Sequence, residues 1–144
     1  MYLDVLSLFI SVGATIVSAV SAIFSYNISK KEALATQGSL ELQIRASINE
    51  AYYNMTRFGM LVAEKPEDDT LCNAFKGAEE IYRNAYEDAC DKYRQGKVNK
   101  ESFRRMYQIE IRRLVEEKPY RAYYEDNQSP YINTLNVYRE WHRS

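Results

Sequence analysis

The stretch "NAYEDACDKYRQGKVNKESFRRMYQIEIRRLVE", residues 84–116, decides the fold. Its first part places Ala85, Ala89 and Tyr93 four residues apart, and its last part places Phe103, Tyr107, Ile111 and Leu114 at steps of four and three. Those steps bring each set onto one face of a helix. Between them "RQGKVN" offers Gly96, suited to the left-handed position after a helix end, and Asn99, suited to cap the next start. The reading is two amphipathic helices joined by a tight turn, the second running from Lys100 to about Glu117, where Pro119 stops it.

The same beat extends in both directions. Upstream, Leu71, Phe75, Ala78 and Tyr82 continue the first stripe, with Asp69 or Thr70 as its cap after the loop "EKPEDDT" at residues 64–70. Before that loop, Leu40, Ile44, Ile48, Tyr52, Met55, Phe58 and Val62 mark another amphipathic helix, which Ser39 could cap. Downstream, Ser129 and Pro130 form an N-cap and N1 pair for a last helix with Leu135, Tyr138 and Trp141 inward. No stretch alternates with period two over six or more residues, and no Asn-Gly or Asp-Gly hairpin signal appears. The fold class is all-α, with a domain of about four helices over residues 39–144.

The first thirty residues differ in kind. Of the charged residues, only Asp4 precedes Lys30, and the 22 residues from Val5 to Tyr26 are uncharged. As a helix they extend about 33 Å, enough for a hydrocarbon core of about 30 Å. The start "MYLD" lacks the basic region of a secretory signal. Residues 1–29 are therefore expected to be a single N-terminal transmembrane helix, with Tyr2 and Tyr26 at the interfaces. Lys30 and Lys31 follow at once, which places the N-terminus outside and the C-terminal domain in the cytoplasm. Residues 30–38 form a juxtamembrane segment. Within it Gly38, in "TQGS", is expected to interrupt the helix and act as a hinge, since glycine costs about 1 kcal/mol there relative to alanine.

Within the apolar run, Ser7, Ser11, Ala14, Ser18, Ser21 and Ser25 follow at steps of four, three, four, three and four. A mean step of 3.5 residues is that of a left-handed coiled-coil seam. Helices in lipid associate through small residues that let backbones approach. The expected partners are thus the lipid bilayer and further copies of the chain, as a tetramer or higher, whose hydroxyl-lined axis could conduct.

Chemistry is sparse. The net charge is −1, which excludes a global attraction to polyanions. The one histidine, His142, lies near the C-terminus, and Cys72 and Cys90 are eighteen apart, about 27 Å on a helix. Neither a metal nor a cofactor is expected, and no catalytic constellation marks an enzyme. One face merits a ligand: Arg104, Arg105, Gln108, Arg112 and Arg113, where guanidiniums beside tyrosines suit phosphates and stacked bases. Against this, Glu101–Arg105, Arg112–Glu116 and Arg113–Glu117 are spaced to lace a solvated helix with ion pairs.

The stretch at residues 84–116, preceded by an N-terminal span, resembles the small membrane effectors of bacterial anti-phage loci. The transmembrane effectors of the Hailong system look most similar, and the cyclic-oligoadenylate-gated effectors of type III CRISPR loci share the layout. The likeness covers the chain in layout and rests on a "G-K-x-N/D-K" turn, so no functional residue carries over. It implies a bacterial inner-membrane protein. It also implies a nucleotide or single-stranded oligonucleotide ligand, made by a partner nucleotidyltransferase, that opens an oligomeric channel and arrests the infected cell. The competing reading is a membrane-anchored helical adaptor that conducts nothing.

Overall fold

A computed structural model describes residues 2–125 and 128–142, with side chains from residue 21 onward. Its elements are α1 (Tyr2–Glu64), α2 (Asp69–Arg94), α3 (Lys100–Glu116), the single turn α4 (Lys118–Arg121) and α5 (Ile132–His142). No strand occurs among the described residues, so the chain is all-α. It divides into two compact units, residues 1–36 and 37–144.

In the first unit, every side chain described from residue 21 to 36 is exposed. Most of the uncharged run Val5–Tyr26 lies outside the described side chains, and so do Ser7, Ser11, Ala14 and Ser18. Among the described residues, no helix is long and apolar enough to cross a membrane. The expected break at "TQGS" does not form. Residues 36–39 are helical, Gly38 has no positive φ, and Ser39 caps nothing because no helix begins there. A cost of about 1 kcal/mol at one residue is small beside the burial of Ile44 and Ile48 directly downstream, each contributing about 1.5–3 kcal/mol.

The second unit is built around tyrosine. The inner stripe of α1 runs through Ile44, Ile48 and Ala51, while Tyr52 is exposed and only leans on the Tyr82 ring at 5.9 Å. Tyr52 sits one residue past the stripe because four-residue steps alone drift off a face of period 3.6. From α2, Tyr82 and Tyr86 meet edge to face at 5.2 Å, and Tyr86 meets Tyr107 of α3 at 6.0 Å. Phe103 and Tyr107 pack at 4.7 Å, and Trp141 of α5 stands perpendicular to Tyr93 at 5.4 Å. Trp141 Nε1 donates to the Tyr93 hydroxyl at 3.0 Å, which donates to Glu140 at 2.8 Å. The Tyr93 and Trp141 rings are buried while their polar tips keep partners.

The α2–α3 turn is as expected. Gly96 has φ +69°, Lys97 N–H bonds the Lys92 carbonyl at 3.0 Å, and Asn99 accepts from Ser102 N–H at 2.9 Å. This is a Schellman end followed by an N-cap. Two other caps differ from expectation. Asp68, not Asp69 or Thr70, caps α2, accepting from Thr70 and Leu71 N–H at 2.9 and 3.1 Å. The last helix starts at Ile132, not at Pro130, and its cap comes from another helix. Glu87 of α2 accepts from the Asn133 and Thr134 N–H groups and the Thr134 hydroxyl, each at 2.8 Å. A carboxylate satisfies several of the free amides of a helix start, where one serine hydroxyl satisfies fewer. Ser129 instead accepts from Tyr131 N–H at 3.0 Å and donates to the Tyr123 carbonyl.

Candidate functional site

The arginine face of α3 is only partly free. Arg112 pairs with Glu116 at 2.9 Å, and Arg113 bridges Glu110 at 3.0 Å and Glu117 at 3.1 Å. Those carboxylates hold both guanidiniums above the usual arginine range. Arg104 turns the other way, its Nη2 donating to the Trp141 carbonyl at 3.4 Å with its guanidinium 6.0 Å from the indole. Arg105 and Gln108 remain exposed, and the expected Glu101–Arg105 pair is not made among the described residues. Three of the four arginines are thus occupied. The face behaves mainly as a laced, solvated one.

The cation with unmet bonding lies elsewhere. Arg83, in the middle of α2, is 4 % exposed. Its guanidinium carbon sits 4.0 Å from the centre of the Tyr123 ring and 5.7 Å from that of Tyr131. Nε donates to the Tyr131 hydroxyl at 3.3 Å, and Nη1 has no partner.

Among the described residues, no carboxylate forms an ion pair with Arg83. Glu79, Glu80 and Glu87, one turn before and after Arg83, are the ones helix geometry offers. Glu87 is committed to the start of α5. Glu79 faces Tyr120, and after burial its charge raises the Tyr120 pKa. What holds the guanidinium is aromatic. Rings attract a cation through their quadrupole, by about 0.5–2 kcal/mol, without neutralising it.

Arg83, Tyr123 and Tyr131 together line an open cleft with Asn73, Lys76, Glu79, Glu80 and Pro130. Tyr123 is 44 % exposed, so part of its ring is available to a flat ligand. The cleft therefore combines a buried positive centre, an ammonium, an amide and an aromatic surface with two carboxylates, Glu79 and Glu80. Arg83 and Lys76 suit an oxyanion and the Tyr123 ring a planar group, while the two carboxylates oppose an anion.

Arg83 is absent from the stripe read off the sequence because that stripe follows one column. Arg83, Tyr86 and Cys90 form a second column at steps of three and four, and all three are buried. A helix covered on two sides shows two such columns. An arginine inside one of them was the available signal. Comparison with protein-family models, with curated proteins and with solved structures finds no match to this chain.

Proposed function

We propose that the chain is an oligomeric single-span membrane effector whose helical domain is controlled by an anionic, nucleotide-class ligand. The observation that carries the receptor half is Arg83, a buried guanidinium clamped by tyrosine, with Nη1 unpartnered and no ion pair to a carboxylate among the described residues. Leaving a buried charge without an ionic partner costs several kcal/mol, and an arriving phosphate offsets that cost. The anchor half is supported by the uncharged run from Val5 to Tyr26 and the Lys30–Lys31 flank. On this reading the bilayer segment lies in a bacterial inner membrane with the domain inside. The ligand binds beside α2, not across the arginines of α3, and its binding changes the packing of the serine seam. The setting is anti-phage defence, with a partner nucleotidyltransferase supplying the ligand and a conducting axis as the output.

The test is nucleotide content. Full-length protein extracted from cells expressing its genomic neighbours is compared with Arg83→Met prepared identically. Phosphate-bearing ligand should copurify with the parent and be lost from the variant. Equal content in both, or none in either, returns the chain to a membrane-anchored adaptor.

A further inference from the structure

The outward side of α1 carries a second periodic stripe, opposite the one that packs inward. Leu42, Ala46, Asn49, Tyr53 and Met60 follow at steps of four, three, four and seven, and all are exposed. The large ones are bare to an unusual degree: Leu42 is 67 %, Tyr53 66 % and Met60 59 % exposed. On a helix whose other side already fills a core, such a row is a contact surface without its contact. Counted backward through Ser39, Ala35, Glu32 and Ile28, the alternation of threes and fours reaches Ser25 and Ser7 without a slip. One heptad frame therefore serves the serine beat and this row alike.

The flanking charges say what covers it. With Ala46 at position a and Asn49 at d, Arg45 falls at g and Glu50 at the next e. In a parallel, in-register coiled coil, g of one helix faces the e five residues later on its neighbour. Arg45 and Glu50 are five apart and opposite in charge. Tyr52 and Arg57 stand in the same relation, a ring against a guanidinium. An antiparallel arrangement faces g with g and e with e, and loses both pairs.

Within one chain these charges are nearly unused. Glu41, one turn before Arg45, is taken by Asn99 N–H at 2.8 Å. Arg45 contacts Met106 Sδ through Nη2 at 3.5 Å and acts on the Tyr107 hydroxyl, but forms no ion pair with a carboxylate among the described residues. Glu50 forms no ion pair among the described residues. The surface is thus complementary to itself, in one register.

We infer that residues 39–60 of α1 form a parallel, in-register coiled coil with a second copy of this chain, with Arg45 paired to the partner's Glu50. Asn49 then meets its own equivalent, a polar contact inside the seam that penalises slipped registers. The inference rests on the self-association half of the proposed function and is independent of Arg83.

The test uses the full chain in detergent, with Cys72→Ser to remove the accessible thiol and the buried Cys90 retained. Ala46→Cys places a thiol in the seam, and Ser47→Cys places one beside it on the exposed surface. Under mild oxidation, Ala46→Cys should give at least tenfold more covalent dimer than Ser47→Cys. Adding Arg45→Glu should cut that yield several-fold, and Arg45→Glu with Glu50→Arg should restore it. Equal yields at the two positions, or a double reversal as weak as the single one, overturns the coiled coil. An oligomer of unchanged mass without the Ala46→Cys crosslink also overturns it, while leaving association through the serines intact. Specific crosslinking in a protein that carries no ligand removes the receptor reading and leaves this one standing.

Discussion

Asn99 N–H donates to Glu41 Oε1 at 2.8 Å, joining two residues 58 positions apart. Asn99 is at the same time the cap of α3, accepting from Ser102 N–H with its side chain. One short turn therefore both ends the α2–α3 hairpin and fastens it to α1. Glu41→Ala should cost about 1 kcal/mol, the usual net value of one hydrogen bond, because the site is exposed. Glu41→Gln should recover most of the loss. Urea unfolding followed by helical circular dichroism makes the comparison, and an unchanged midpoint for Glu41→Ala would show the link carries no stability.

The tyrosine core predicts instability in alkali. Burial raises Tyr82 from 10.0 to about 12 and pushes Tyr86 and Tyr124 higher still. The native protein therefore holds these phenolic protons more tightly than the unfolded chain does. Their contribution is intact below pH 10 and falls away as pH rises from there through 12. Tyrosinate absorbance from these three should appear together with the loss of helicity, in one transition. Ionisation of the buried set while the helices persist would contradict the packing described here.

Much of this fold was legible because it is written in local signals. The steps through Phe103, Tyr107, Ile111 and Leu114, and the Gly96–Asn99 turn, each need only neighbouring residues to be read, and all stand as expected. What was illegible depends on partners distant in sequence. Glu87 supplies the amide partners of α5 from 46 and 47 residues away, so Ser129 and Pro130 gave a false start. Gly38 looked like a break because propensity prices a residue alone, whereas Ile44 and Ile48 hold the following turns by packing. For the site, type and spacing led to the arginines of α3, yet the deciding property is which carboxylates are already spent. Glu116, Glu110 and Glu117 are spent on Arg112 and Arg113, and Glu87 on the start of α5, not on Arg83.

The two glycines at the ends of this contrast should respond oppositely to alanine. A Cβ at Gly38 meets nothing within 4 Å, and the backbone there is helical, so Gly38→Ala should stabilise by up to about 1 kcal/mol. A Cβ at Gly96 also finds open space, but φ +69° is a conformation that alanine adopts at a cost of about 1 kcal/mol. Thermal melts of the two variants should move apart from the parent in opposite directions. If Gly38→Ala lowers the melting temperature, the helix does not run through residue 38 in solution.

The arginines separate a structural role from a binding one. Arg83→Met removes a buried charge that has aromatic neighbours and no ionic partner, and methionine refills much of the same space. Loss of the ring contacts and relief of the desolvated charge oppose each other, so stability should stay within about 1 kcal/mol of the parent. Ligand content should nevertheless disappear. Arg105→Glu combined with Arg112→Glu makes the converse case: Arg112 loses a solvent-exposed pair with Glu116, for a cost of about 0.5 kcal/mol, and Arg105 loses no partner. That double variant should fold and retain its ligand. Calorimetry of unfolding and phosphate analysis of the purified proteins read both quantities on the same samples. A loss of several kcal/mol in Arg83→Met would make that residue part of the scaffold. Loss of ligand from the α3 variant alone would move the binding face back to Arg105 and Arg112.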